Sequence, residues 1–534
     1  MVKARWPMQP GYRWREKSLD MRRALAWTAA VLASLVTGCA SLPSQEGRSA
    51  TCALTDTAQT RLGRAVASDV AANPGKTGIH PLLVPRDAFA ARVVLATAAD
   101  RSLDVQYYIW HGDQTGTLLF EALWRAAERG VRVRLLLDDN STAGLDATLA
   151  ALDAHPNLEV RLYNPVVNRD ARGLNFLTDF SRLNRRMHNK SFTADNQVSI
   201  VGGRNVGNEY FGAGSEVLFG DLDVLAVGSA VREVSQEFDL YWNSASAYPA
   251  ASLVGTGGLD ATDRLKAGFA AVRADPESIV YVEAVRKAPF IRELLDGRPE
   301  LEWTTARVVH DDPAKTLDAT ARADVLLIAD LLRTMGSPQS ELDLVSPYFV
   351  PGTEGTAALA VLASRGVKVR ILTNSLAASD VAAVHAGYAK RREDLLRAGV
   401  RLYEFKPSAS REAQEEQWKL GGSSSAALHA KTFAVDSRRI FVGSFNFDPR
   451  SALLNTEMGL VIDSPVLAKR LAAFFDTVVP LAAYEVRLAE DGGGLEWIEQ
   501  TPSGEKRYDI EPGTSWFLRT GIGILSILPI DWLL

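Results

Sequence analysis

From residue 86 onward the chain alternates between two hydrophobic patterns. Arg86–Ala99 and Gly116–Arg129 place apolar side chains at helical spacing, whereas Leu103–Trp110 (LDVQYYIW) and Val131–Leu137 (VRVRLLL) read as strands. Strand, helix, strand in that order predicts βαβ units around a mixed or parallel sheet. The order then returns. Leu342–Val350 (LDLVSPYFV) matches LDVQYYIW, Gly352–Arg365 is the next helix, and Gly366–Arg370 (GVKVR) copies Gly130–Arg134 (GVRVR). The offset drifts from 239 (342 − 103) to 236 (367 − 131), so loops change length while the elements persist. Two copies so far apart predict a duplicated domain, not a solenoid. The expected fold is α/β, with two pseudo-symmetric halves at residues 86–250 and 319–480. Each is a mixed β-sheet flanked by helices, and residues 251–318 connect them.

The ends break this pattern. Arg22 and Arg23 precede a short apolar run, Ala24–Val36, which leads into Thr37, Gly38 and Cys39. A basic flank, a short apolar core and small residues before a cut site predict an export signal over residues 1–38. The run is too short to span a bilayer as a helix. Residues 39–85, polar and Ala/Gly-rich, read as a tether plus one helix. At the other end, within residues 481–534, Trp516–Leu534 is apolar but interrupted by Arg519, Pro529 and Asp531. Tryptophans near both ends of that run suit a segment lying in a membrane interface. Packing on the protein's own core is the alternative.

Composition sharpens this little. The 534 residues predict several domains, and a net charge of −5 gives no broad basic face, so no nucleic-acid partner is expected. Cys39 and Cys52 are the two cysteines, and an acylated Cys39 leaves no intramolecular disulfide.

The chemistry lies in one arrangement written twice. His188, Lys190 and Asp195 are spaced H-x-K-x4-D and followed by Gly203 and Asn205; His429, Lys431 and Asp436 repeat the spacing and are followed by Ser444 and Asn446. The offset is 241 (429 − 188) at every one of these pairs. On an extended chain, residues i and i+2 share a face, so each His emerges beside its Lys. Brought face to face, two imidazoles, two ammoniums and the amides of Asn205 and Asn446 surround a phosphate, and Gly203 and Ser444 let backbone approach it closely. One imidazole attacks phosphorus and the other protonates the leaving oxygen. An ammonium beside each imidazole disfavours a metal, and no cofactor is expected.

These motifs resemble the two HKD signatures of the phospholipase D superfamily, over roughly residues 86–480. Asp221-Leu222-Asp223 and Asn455-Thr456-Glu457 resemble the acidic positions that follow such motifs; Asp223 and Glu457 are counted with the substrate-binding residues, and one or the other is expected to hold the imidazole opposite the nucleophile charged. His385–Tyr388, Leu402–Glu404 and the Leu528–Leu534 ending resemble bacterial cardiolipin synthases. The resemblance implies a membrane-associated phosphatidyltransferase making cardiolipin. Phosphatidylglycerol is the implied acceptor and phosphatidylethanolamine the donor, through a phospho-histidine on His188 with His429 as general acid. Val36–Cys39 resembles a bacterial lipobox, implying an exported lipoprotein anchored through Cys39, in the inner or the outer membrane. Two other readings stay open at this point: a phospholipase D-type hydrolase or nuclease, and a non-enzymatic surface lipoprotein on the same scaffold.

Overall fold

The computed structural model describes residues 41–46, 48–213, 218–258, 260–287, 300–317, 326–379, 381–407, 426–490 and 494–527. Its contacts divide the chain into two units, Met1–Ser44 and Gln45–Leu534, and both copies of the duplication lie in the second. The export signal, Cys39, the Gly/Ser stretch before His429 and the Leu528–Leu534 ending fall outside the described residues.

The first half supplies β1 (Thr77–Leu82), β2 (Ser102–Ile109), β3 (Arg132–Ser141), β4 (Leu158–Tyr163), β5 (Ser191–Ala194), β6 (Val198–Gly202), β7 (Leu218–Gly220), β8 (Asp223–Gly228) and β9 (Ala247–Pro249). The connection adds β10 (Glu302–Thr304) and β11 (Ala306–His310). The second half supplies β12 (Glu341–Val345), β13 (Lys368–Asn374), β14 (Arg401–Phe405), β15 (Ala426–Leu428), β16 (Thr432–Val435), β17 (Arg439–Gly443) and β18 (Met458–Ile462), then β19 (Ala483–Leu488), β20 (Leu495–Thr501) and β21 (Gly504–Tyr508). One sheet runs β10-β1-β8-β6-β5-β2-β3-β4-β9 and the other β11-β18-β17-β16-β12-β13-β14-β19-β20-β21. Within them β2-β3-β4 and β12-β13-β14 are parallel, and β5 and β16 run antiparallel to their neighbours. The mixed sheets expected from the sequence are present in both halves.

The repeated words LD and GVxVR meet in three dimensions. Asp104 of β2 pairs across the sheet with Arg134 of β3 at 2.7 Å, and Asp343 of β12 pairs with Arg370 of β13 at 2.6 Å. All four side chains are buried, where an unpaired charge costs several kcal/mol, so each arginine fixes its neighbour strand's register. A third core binds the halves together. Val201, Val224 and Val234 pack with Ile440, Val442, Leu460 and Ile462.

Three segments do more than the hydrophobic pattern suggested. Thr77–Leu82, inside the expected tether, is a strand between β8 and β10. Gly78 and Pro81 hide it in the sequence, although a Cβ at Gly78 would press on the Trp303 ring at 3.0 Å. The connection contributes an edge strand to each sheet, and its helices Ala261–Ala274 and Pro276–Arg286 bury Leu265, Phe269 and Tyr281 against the first half. After the second half, β19–β21 extend that sheet.

The described part of the apolar tail, helix Trp516–Ile527, packs on the protein along one side only. Ile522 packs against Leu376 and Ala386, whereas Trp516, Phe517 and Ile524 stay exposed. A buried network of His385, Arg392, Glu404 and Glu511 ties down the preceding chain. Among the described residues, no helix is long and apolar enough to cross a membrane.

Candidate active site

Both H-x-K stretches lie in the extended residues just ahead of β5 and β16. Because those strands run antiparallel to β2 and β12, this position is the C-terminal edge of the parallel strands, where α/β sheets open their clefts. Each stretch is stitched to backbone of the opposite half. His188 N–H donates to Thr456 O at 2.8 Å, and Thr456 N–H donates to Arg186 O at 2.9 Å. In the other copy Gly220 O accepts from both His429 N–H (2.9 Å) and Ala430 N–H (3.0 Å), extending the parallel pairing of β7 with β15.

That stitching places a carboxylate behind each imidazole. His188 Nδ1 lies 2.8 Å from Glu457 Oε2, and His429 Nδ1 lies 2.5 Å from Asp221 Oδ2. Each motif histidine is therefore oriented by an acid of the other half. An ionised carboxylate accepts Nδ1–H and leaves the Nε2 lone pair for chemistry. Aromatic rings wall the site. Tyr108 packs edge-on against His188, and Phe219 stacks on His429 with Tyr210 at its edge. Lys190 Nζ donates to His188 O, and Lys431 Nζ sits about equally far, 3.0 and 3.1 Å, from the two His429 ring nitrogens.

The electrostatics favour neutral imidazoles at rest. Burial, then Lys190 and Lys431, push His188 well below its ordinary value. Burial and Lys431 bring His429 to about 4, with Asp221 pulling back upward. Burial lowers Lys190 to about 7 against the attraction of Glu457. Burial also raises Glu457 to about 7, opposed by Lys190 and by hydrogen bonding from Ser444. Asp221 resists the upward push of burial and is held well below the carboxylate range by His429, Lys431 and Arg204. Arg185 and Arg186, adjacent in sequence, are committed elsewhere: Arg185 donates to Lys315 O, and Arg186 binds Asp138 and Asn164.

Several expected site residues sit elsewhere. Asp195 and Asp436 are not beside the histidines. Each occupies a tight turn, Asp195 with Asn196 (φ 52° and 51°) and Asp436 with Ser437 (φ 54° and 49°). The Asp195 carboxylate accepts N–H from Asp100, Arg101 and Ser102, and Asp436 likewise accepts from Gln339, Ser340 and Glu341. Asp223 is spent on Arg92 (2.9 Å) and Arg204 (3.4 Å), so Asp221, two residues earlier, is the acid that meets His429. Gly203 makes room for protein rather than ligand, since a Cβ there falls 2.2 Å from Asp221 Oδ1. Asn205 bonds Ile109 N–H and the Tyr210 hydroxyl. Ser444 donates to Glu457. Asn446 keeps a buried Oδ1 with no partner among the described residues.

Four supporting residues lie outside any reading of the motifs. Asp311, from the connection, accepts Glu457 N–H at 2.9 Å and is itself held by Lys315 at 2.9 Å. Asn189, the middle residue of the first H-x-K, accepts from Thr456 and donates to Glu237. Nothing in the linear spacing announces these contacts. Among the described residues a trio of possible metal ligands, His111, Asp113 and Glu209, lies just beyond the first motif, where His111 N–H donates to Val206 O, and Asp113 already accepts N–H from Gly116 and Asn208.

Comparison with known proteins follows the same duplication. The family model described as "Cardiolipin synthase, PLD-like domain" matches twice, at residues 94–242 and 331–479. The chain is 48% identical over 474 residues to cardiolipin synthase C of Escherichia coli (strain K12), covering 89% of this chain and 100% of that protein. The chain belongs to the phospholipase D-like cardiolipin synthase family. It is an enzyme of the phospholipase D-like phosphatidyltransferase type. An uncharacterised protein of Helicobacter pylori (strain ATCC 700392 / 26695) is 31% identical over 77% of this chain and 81% of its own. Among solved structures, phosphatidylserine synthase of Haemophilus influenzae Rd KW20 superposes with a TM-score of 0.55 at 14% identity, covering 89% of this chain and 100% of that one. That likeness concerns the fold.

Proposed function

We propose that this enzyme makes cardiolipin from phosphatidylglycerol and a second phospholipid, phosphatidylethanolamine, through a phospho-histidine at His188. The observation that carries the reading is the crossed pairing of His188 with Glu457 and His429 with Asp221, with Lys190 and Lys431 beside them. His188, held well below its ordinary value by burial and by the two lysines, offers neutral Nε2 to the donor phosphorus. As the P–N bond forms, the bond from phosphorus to the head-group oxygen breaks. His429, kept easier to protonate by Asp221, gives that oxygen a proton, and the arriving anionic phosphodiester raises its affinity for one. The head group leaves as an alcohol. The terminal hydroxyl of phosphatidylglycerol then attacks phosphorus and yields its proton to His429. The P–N bond breaks and His188 is regenerated. The lysines hold the non-bridging oxygens throughout.

In this reading the mature chain is an exported bacterial lipoprotein, anchored by acylation of Cys39 and assisted by the exposed face of Trp516–Ile527. One acyl chain alone binds marginally, so the second contact matters. Cys39→Ser is expected to abolish metabolic lipid labelling, and undiminished labelling counts against the anchor.

The test of function is lipid analysis of a cardiolipin-deficient host. The wild type is expected to restore cardiolipin and His188→Ala to fail. In vitro, donor lipid carrying a label on its phosphatidyl part should leave label on His188 in a His429→Ala protein. Label found on His429 in a His188→Ala protein reverses the assignment, and free phosphatidic acid as the sole product replaces transfer with hydrolysis.

A further inference from the structure

The chain between β4 and the first motif, Asn164–Met187, is bound at many points yet leaves an apolar edge largely exposed to solvent. Helix Arg172–Thr178 is pinned by Asn175, whose amide bonds Asn168 and Ala171. Arg182 ties the next turn to Asp179, Asn164 and Pro165, and Leu183 is buried. Against this fixed base Leu174 is 59% exposed, Leu177 83% and Phe180 40%. Leu174 and Leu177, three apart, share one side of that helix, and Phe180 opens the short helix Phe180–Leu183 that follows the break at Asp179.

The edge continues across the junction of the halves. Arg450, on helix Pro449–Leu453 just after the second motif, donates to Asn184 O (2.9 Å) and Asn184 Oδ1 (2.6 Å). Leu453 on that short helix is 59% exposed. Four large apolar side chains thus lie on three short helices, two of them bonded to Asn184, four residues ahead of His188. Leucine and phenylalanine held in water forgo the stabilisation that an apolar surrounding would give them.

We infer that Leu174, Leu177, Phe180 and Leu453 form a rim that enters the acyl region of a phospholipid bilayer and sets the catalytic cleft against the head groups. The inference rests on the proposed lipid substrate. Its occupant is argued from continuity, since the edge adjoins the cleft to which a lipid phosphate must come while its acyl chains stay in an apolar phase. It is distinct from the Cys39 anchor and the C-terminal helix, which hold the protein near the membrane without aiming the cleft.

The test compares the full-length protein with a Leu174→Ser, Leu177→Ser, Phe180→Ser variant. These side chains are exposed, so folding should survive, and circular dichroism and a thermal melt establish that it does. A Leu240→Ser protein, altered at an exposed leucine of helix Ser229–Trp242, is the control. Two substrates are used: vesicles of phosphatidylglycerol and phosphatidylethanolamine, and short-chain phosphatidylglycerol below its micellar concentration. The rim variant is expected to lose roughly ten-fold or more of its turnover on vesicles. It should keep turnover on the dispersed short-chain lipid within about two-fold, as should the control on both substrates. Unchanged turnover on vesicles overturns the inference, and so does equal loss on both substrates. Loss of self-association by the variant, with vesicle turnover intact, would make the edge a contact between copies. A wild type inactive on both substrates refutes the lipid reading instead, so the two failures are distinguishable.

Discussion

At the scale of single residues, the site depends on groups that burial has moved toward neutrality. Lys190 and Glu457 both titrate near 7 and attract one another, so they behave as a coupled pair. The signs oppose. Glu457 must be ionised to bring its negative charge to the Nδ1–H bond of His188, a condition gained as pH rises through its pKa. Lys190 must be charged to hold an anionic phosphodiester, a condition lost as pH rises through its own. The kcat/KM profile of the enzyme should therefore be a narrow bell centred near pH 7. Glu457→Gln, whose amide oxygen still accepts Nδ1–H, should lower kcat and remove the acid limb while the alkaline limb remains. A profile flat over about pH 5–9 in the wild type would show that neither group governs the reaction.

At the scale of elements, the sequence spacing located the motifs but misassigned part of their content. The helix and strand periods from residue 86 were legible because apolar runs of sufficient length repeat twice. Thr77–Leu82 was not, since a short edge-like run containing Gly78 and Pro81 looks like linker. Which acid of Asp221-Leu222-Asp223 meets a histidine was equally unreadable. The choice depends on Arg92 and Arg204 claiming Asp223, contacts more than ten residues distant in sequence. The aspartates of the motifs are the clearest case. Asp195 closes the turn between β5 and β6, where Gln197 N–H bonds Ala194 O, and its carboxylate clamps that hairpin to the start of β2. Two successive left-handed residues mark the turn that suits a hairpin's twist, and aspartate and asparagine tolerate them best. Asp195→Ala should thus cost about 2–4 kcal/mol in urea unfolding, from three orphaned N–H groups and a strained turn. Asp195→Asn should cost markedly less. Activity per folded molecule should stay within a few-fold for both, and a large kcat loss in a stably folded Asp195→Asn protein would restore a chemical role.

At the scale of the whole molecule, duplication has produced a single site with exchanged parts. The first half supplies His188 and the acid for His429; the second supplies His429 and the acid for His188. The shared core of Val201, Val224, Ile440 and Leu460 keeps these four groups in register. A substitution in one half should then read out as a defect in the other. Asp221→Asn removes the charge that pulls the His429 pKa upward while preserving shape, so that pKa should fall further below about 4. The damage should appear only where His429 must protonate a poor leaving group. A phosphodiester that expels p-nitrophenolate needs no such proton, so its first turnover should be nearly unaffected. A natural phospholipid donor should slow by about a hundred-fold, within the usual worth of general acid catalysis. His429→Ala should show the same split between the two substrates, although its residue lies 208 positions away in the chain. If Asp221→Asn slows both substrates equally, Asp221 serves to assemble the site and the division of labour between the histidines must be redrawn.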